Sequence, residues 1–187
     1  KYHHAHAWQP FTQMKLVGDP LIVERAEGVH LFTPDGQDVI DAVGSWWVSI
    51  FGHNHPDIKK AVVSQLDRLD QVMYASITHE GAANLSARLA AKTNQNLPRV
   101  FFSDNGSTAV EIALKMAFQA NVNLSLPEKR GFIALAKGYH GDTVGTMSVG
   151  AREVFHAVYE PLLYPCFLVR QPVLPFVDYH NESSFEK

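Results

Sequence analysis

Apolar and polar residues along this chain alternate over short stretches first and then settle into a helical period. Leu21 to Arg25, Val29 to Thr33 and Val39 to Asp41 have strand character and are parted by Glu27-Gly28 and Pro34-Asp35-Gly36, which predicts a small antiparallel meander. From Pro56 the period lengthens. Proline in the first turn and Asp57 near the positive end of the dipole mark a helix start, and Ile58, Val62, Leu66 and Leu69 supply its apolar stripe. A further helix is predicted from about Thr78 to Thr93, with Ala82, Leu85 and Leu89 on its buried face, before Asn94-Gln95-Asn96-Leu97-Pro98 stops it.

The next pattern carries chemistry. Arg99 to Ser103 is a short apolar run of strand character, Asp104-Asn105-Gly106-Ser107 is a turn, and Val110, Ala113, Leu114 and Ala117 recur at helical spacing. A helix start has backbone N–H groups without partners and a partial positive charge, and a glycine lets an anion come close to the backbone, so Gly106 and Ser107 are candidate phosphate ligands. The same residues also allow a purely architectural reading. Thr108 and Glu111 fit a capping box that satisfies the free donors without any ligand, and Glu111 with Lys115 is an ordinary i,i+4 pair. The stretch is neither GxGxxG nor a Walker loop.

Gly131 to Ala136 is a second buried-type strand and Cys166 to Val169 a third. Strand, helix and strand in this order predict a crossover unit of a parallel sheet covered on both faces, an α/β architecture whose ligands gather at the carboxyl ends of strands. Lys137-Gly138-Tyr139-His140-Gly141-Asp142-Thr143 then follows the second strand, so Tyr139 and Asp142 are expected on the same rim as Gly106 and Ser107, facing one ligand.

Composition narrows the partners. The 187 residues, 46% hydrophobic and 19% charged, can bury a substantial core, and a net charge of −3 without a basic stripe points to small molecules rather than nucleic acid or membrane. A single cysteine, Cys166, excludes an internal disulfide framework, and with no secretory signal or long apolar span a cytoplasmic location is expected. The histidines of Lys1-Tyr2-His3-His4-Ala5-His6 and the pair His53 and His55 suggest metal ligands, yet the first are an irregular terminal cluster without cysteine or acidic company and no third ligand stands near the second, so the structural reading is preferred and no metal is predicted. Trp8-Gln9-Pro10-Phe11-Thr12-Gln13-Met14 cannot be a regular helix, and its aromatics are expected to dock on a core or line a pocket. In Gly44-Ser45-Trp46-Trp47 two adjacent indoles cannot share one side of a strand, so one is expected to pack inward and the other to be left for a partner.

Taken together, Ser103-Asp104-Asn105-Gly106-Ser107, Tyr139-His140-Gly141-Asp142, Gly52-His53-Asn54-His55-Pro56 and the meander resemble the class III pyridoxal-phosphate-dependent aminotransferases, of fold type I. The resemblance spans nearly the whole chain. It implies a mixed, mainly parallel sheet with helices on both faces, a meander-bearing amino-terminal segment over residues 1–55, and the first part of a cofactor-binding α/β domain over residues 56–187. Within the class, the two tryptophan segments resemble the branch acting in biotin synthesis, whose members move an amino group from S-adenosylmethionine to 8-amino-7-oxononanoate. By resemblance Gly106 and Ser107 hold the phosphate of pyridoxal 5'-phosphate, Tyr139 stacks on its ring and touches substrate, and Trp46 lies against the keto acid. Phe11 stands where many of these enzymes have a substrate-recognising tyrosine, keeping the ring and losing the hydroxyl.

Transamination on this cofactor needs a lysine that bonds to it and an acid facing the pyridine nitrogen. The family places both downstream, and neither Lys115, in the helix, nor Lys137, before the tyrosine loop, stands in the family's catalytic position. The chain is therefore expected to be the amino-terminal part of a longer enzyme, inactive alone and homodimeric as the full protein. A lysine donor, an omega-amino acid substrate and a non-catalytic binding or assembly module are the alternatives.

Overall fold

Three short strands, β1 (Arg25–Glu27), β2 (His30–Phe32) and β3 (Asp38–Ile40), form an antiparallel sheet in chain order, with Glu27 opposite His30 and His30 opposite Ile40. The computed structural model to which they belong describes residues 5–151 and 156–172. His3 and His4 of the opening cluster, and Pro175 near the end, lie outside them.

The meander is the expected one, with its first strand displaced toward the turn. Gly28 takes φ +57, which a glycine adopts freely, and the ladder fills outward from this tight turn. Only the Glu24 N–H, 2.9 Å from the Phe32 carbonyl oxygen, carries the pairing further back. The second turn is closed by the Gly36 N–H on the Thr33 carbonyl at 3.0 Å and by the Gln37 N–H on the Thr33 hydroxyl at 3.0 Å. Across the sheet His30 Nδ1 lies 2.8 Å from Asp38 Oδ1, and the Arg25 guanidinium sits 3.5 Å over the Phe32 ring.

After β3 the chain turns on Asp41. Its Oδ2 accepts the Ser45 hydroxyl at 2.8 Å and faces His53 Nε2 at 2.9 Å, while backbone bonds join Gly28 and His53 in both directions at 3.1 and 2.7 Å. His53 is thereby spent on structure. Between these anchors lies a single turn, α1 (Gly44–Trp47), with left-handed φ of 47, 60 and 66 at Ser45, Trp46 and Trp47. This corrects the reading of one inward-facing indole. The segment is no strand, and Trp46 and Trp47 are 58% and 79% exposed. Helix α2 (Pro56–Leu66) starts at the predicted proline and ends short of Leu69.

Helix α3 (Glu80–Lys92) buries Ala82 and Ala90, whereas Leu85 and Leu89 stay half-exposed, contrary to the expected buried face. The least exposed residues step by four through Ser86, so small side chains set the contact and the leucines stand beside it. Residues 99–103 form no strand, which corrects the crossover expected there. Strand character alone builds no ladder without a partner, and none pairs with them among the described residues. The parallel pair is instead β4 (Ile133–Leu135) with β5 (Phe167–Val169), Ile133 opposite Phe167. Their connection carries helix α5 (Val144–Ser148) and a 3-10 helix (Ala157–Leu162), and the long helix α4 (Gly106–Asn123) precedes β4. Met147, Val149 and the fully enclosed Thr146 and Ser148 make the packed centre of this region.

Contacts divide the chain into two units, Lys1–Ala83 and Asn84–Lys187. The meander, α1 and α2 belong to the first and α4, α5 and the parallel pair to the second.

The Ser45 N–H and hydroxyl, and then His53, hold the Asp41 carboxyl down at about 2. A depressed carboxyl contributes stability that is complete above its unfolded value, about 3.9, and lost as pH falls through its folded one. In the full-length protein, the gap in urea midpoint between wild type and Asp41→Asn should therefore be widest above about pH 4 and narrow toward about pH 2. A gap constant across that range would contradict it.

Candidate functional site

The start of α4 fixes which backbone donors are free. Asn105 is its N-cap, with extended backbone at φ −159, and its side-chain oxygen accepts the Thr108 N–H at 3.0 Å while the Thr108 hydroxyl accepts the Asn105 N–H at 3.2 Å. The capping box thus lies three residues earlier than the Thr108–Glu111 reading placed it, because Asn105 caps better than threonine and Thr108 then serves as its reciprocal partner. Thr108 also takes the Ser103 hydroxyl at 2.5 Å.

Two groups are left over. Among the described residues the N–H groups of Gly106 and Ser107 and the Ser107 hydroxyl bond to no other part of the chain. Nothing lies within 4 Å of where a Gly106 Cβ would stand, so the backbone is open there. The 18-residue helix aligns its dipole on this opening. This donor set fits a phosphate.

Glu111, released from the cap, reaches across to the next loop. Its Oε1 accepts the Thr143 hydroxyl at 2.5 Å and the Gly145 N–H at 2.8 Å, rather than pairing with Lys115. Helix α5 has no acid in its own first turn, and Glu111 supplies one from α4. A Cβ on Gly145 would fall 2.2 Å from that carboxylate, so the approach needs glycine. Tyr164 completes the fastening. Its hydroxyl donates to the Gly145 carbonyl at 3.2 Å and its N–H to the Ser148 hydroxyl at 3.2 Å, and burial with the nearby Glu111 charge pushes its phenol above the usual range.

The tyrosine loop meets the phosphate turn directly. Gly141 has φ +125, and a Cβ there would lie 2.0 Å from the Ser107 hydroxyl oxygen. Two residues before it, Tyr139 donates its hydroxyl to Asp142 Oδ2 at 2.8 Å, and that bond, with some burial and the Asp142 charge, raises the phenol, so Tyr139 stays a neutral ring. The ring is 68% exposed on a near-parallel His156, with centroids 6.3 Å apart and 22° between planes. Phe11 and Trp46 lie in the first unit, where they form an edge-to-face pair with centroids 5.6 Å apart and 82° between planes. The structure therefore brings Ser107 together with the Tyr139 loop, and Phe11 with Trp46.

Sequence reasoning missed three residues: Glu111 as a tie, Thr143 as its partner and His156 beneath the tyrosine. The signal for the first was available in a glycine at 145 opening a short helix that lacks an acid of its own. His156 had none, since it depends on the fold returning to Asp142.

Free donors at a long helix start, pressed by a glycine against an aromatic loop, make an arrangement with the chemistry to hold an anion. The family match names the class: the aminotransferase class-III pattern covers residues 14–186, and the chain belongs to that family. Among its relatives, the adenosylmethionine-8-amino-7-oxononanoate aminotransferase of Synechococcus elongatus is 47% identical over 161 residues, which cover 86% of this chain and 38% of the relative. The enzyme of the same name from Methanocaldococcus jannaschii has a crystal structure that superposes with a TM-score of 0.86 at 38% identity, over 91% of this chain and 40% of that one. An amine transaminase from an uncultivated Pseudomonas species, solved in a pyridoxal-phosphate-bound form, superposes at 0.82 with 34% identity, over 96% and 40% of the two chains. The chain thus spans about two-fifths of the length of the relatives it matches.

Two variants of the full-length protein test this geometry. Gly141→Ala should cost roughly 1–3 kcal/mol, from φ strain and the collision with Ser107, read as a lowered urea midpoint. Glu111→Ala should cost about 1–3 kcal/mol by stranding the Thr143 and Gly145 donors, and should speed hydrogen exchange at the Gly145 amide. Glu111→Gln, which keeps an acceptor, should lose less.

Proposed function

We propose that the full protein of which this chain forms part is a pyridoxal-phosphate-dependent aminotransferase of biotin synthesis, transferring an amino group from S-adenosylmethionine to 8-amino-7-oxononanoate to give 7,8-diaminononanoate. The observation that carries the reading is the pair of unbonded N–H groups at Gly106 and Ser107 with Tyr139's loop held against them through Gly141. Relatives at 34–47% identity that bear the name of this activity support the substrate.

In this reading the cofactor, when bound, supplies an electron sink that lets an amine and a carbonyl exchange places. The residues of this chain hold it. Gly106 and Ser107 donate two N–H groups and a hydroxyl to its phosphate, at the positive end of α4. Tyr139 covers the ring as a flat neutral surface whose hydroxyl is committed to Asp142. Trp46 and Phe11 give the aliphatic chain of the keto acid an apolar wall, their edge-to-face contact fixing both rings. The lysine that bonds the cofactor and carries its protons is supplied by a part of the enzyme outside these residues.

The protein is further proposed to work as a homodimer in the cytoplasm. Ile133 on β4 and Phe167 on β5 are 74% and 70% exposed, although parallel sheets are covered on both faces, which supports a larger assembled protein around this segment. No helix among the described residues is long and apolar enough to cross a membrane.

The test uses the full-length protein loaded with pyridoxal phosphate. After S-adenosylmethionine has aminated the cofactor, adding 8-amino-7-oxononanoate should restore the original visible spectrum in a single turnover. Failure to discharge with this keto acid would reject the substrate. Discharge by an omega-amino acid's aldehyde instead would favour a sister activity, for which the absent hydroxyl at Phe11 is the motivating residue. Lysine replacing S-adenosylmethionine in the first step would reassign the donor.

A further inference from the structure

His156 is 6% exposed, and the reading above gives it no task. Both of its ring nitrogens face oxygen: Nδ1 lies 2.9 Å from the Ala151 carbonyl and Nε2 lies 3.1 Å from Asp142 Oδ1. A carbonyl and a carboxylate both only accept, and the charged carboxylate is the stronger acceptor, so a ring hydrogen on Nε2 is donated to Asp142.

Asp142 is held at both ends by this arrangement. Oδ1 takes His156 and Oδ2 takes the Tyr139 hydroxyl, so the plane of a carboxylate that is otherwise half-exposed is set by two bonds on opposite oxygens. His156 also lies under the Tyr139 ring in the near-parallel contact described above. Among the described residues the groups facing His156 are thus Asp142, Tyr139 and the Ala151 carbonyl. Without the imidazole, Asp142 could rotate and the tyrosine would follow it.

We propose that His156 is a positioning residue: it clamps Asp142, and through Asp142 sets the tilt of the Tyr139 ring over the cofactor. The inference rests on the function proposed above for its consequence, while the clamp itself is a property of the chain. It acts at second hand, since His156 reaches Tyr139's hydroxyl only through the carboxylate.

The clamp is tested on the full-length protein free of cofactor. In nitrogen-15 histidine spectra Nε2 of His156 should carry a hydrogen, and its resonance should move in Asp142→Asn. An Nε2 without a hydrogen would overturn the proposal. In His156→Phe the Tyr139 phenol, followed by its ring carbon resonances, should titrate closer to the ordinary tyrosine value, because the Asp142 bond that raises it is loosened. An unmoved titration would also overturn it. On the loaded enzyme, His156→Phe should lower kcat/KM for the keto acid roughly tenfold, with almost no further loss when Tyr139→Phe is already present, as for a coupled contact pair. His156→Gln, which can still donate to Asp142 from its amide, should recover most of the loss and serves where the phenylalanine variant folds poorly. Equal losses in both backgrounds would show a merely structural histidine and reject positioning. Should the wild-type protein not transaminate at all, the function proposed above fails, and the tautomer and phenol titrations still decide the clamp.

Discussion

The contact between Gly141 and Ser107 is the constraint from which the candidate site follows. A loop after a strand and the first turn of a helix more than 30 residues earlier in the chain come within one carbon's width, which any side chain at position 141 would forbid. Backbones approach so closely only when something holds both sides. Here Glu111, one turn into α4, takes the hydroxyl of Thr143 and the N–H of Gly145, and so anchors the segment that follows the loop to the helix that precedes it. Hydrogen bonds to a charged acceptor contribute about 1.5–3 kcal/mol each, against a whole-domain stability of roughly 5–15 kcal/mol. A tie of that size can hold a loop in one place.

The register of the helix cap decides whether there is a site at all. With Thr108 as N-cap, Gly106 and Ser107 would precede the helix and their N–H groups would not join its aligned dipole. With Asn105 as N-cap they become the first two helical residues, and the Asn105–Thr108 exchange satisfies a donor on each side of them while leaving theirs unbonded. A displacement of three residues converts a satisfied helix end into one with two open donors. The same displacement frees Glu111, since an acid needed at the cap could not also reach α5.

Much of this was legible in the residues, and what was not has a physical reason. The meander was readable because Gly28 and Pro34-Asp35-Gly36 mark turns by local conformational demands that no distant contact alters. Pro56 and Asp57 marked a helix start for the same reason. Residues 99–103 were misread because a short apolar run reports affinity for a sheet and says nothing about whether a neighbour is present to pair with. Leu85 and Leu89 were assigned inward with Ala82 by their spacing, yet the contact was set by Ala82 and Ala90, whose small side chains allow closer approach. The turn at Gly106 and Ser107 and the loop of Tyr139 could be located because turn and helix signals are local. The roles of Glu111, Thr143 and His156 could not, because each depends on a partner brought from 14 to 34 residues away.

The aromatic pair in the first unit shows the converse, local strain held by a distant bond. Phe11 and Trp46 both have positive φ, at 53 and 60, where bulky residues rarely sit, and Ser45 and Trp47 share that region. Such conformations cost about 1–3 kcal/mol each and persist only where the surroundings fix them. Asp41 does so for the tryptophan turn, accepting Ser45 and His53 on one carboxylate oxygen while Gly28 and His53 exchange backbone bonds behind it. The result is two rings meeting edge to face, both still more than half exposed. An apolar surface that is strained into place and then left open adds little to the fold, since burying the same indole in a relaxed turn would stabilise it more. The contact is also made by ring edges and faces alone, so a hydroxyl on residue 11 would add nothing to it, and phenylalanine at that position suffices for the pair.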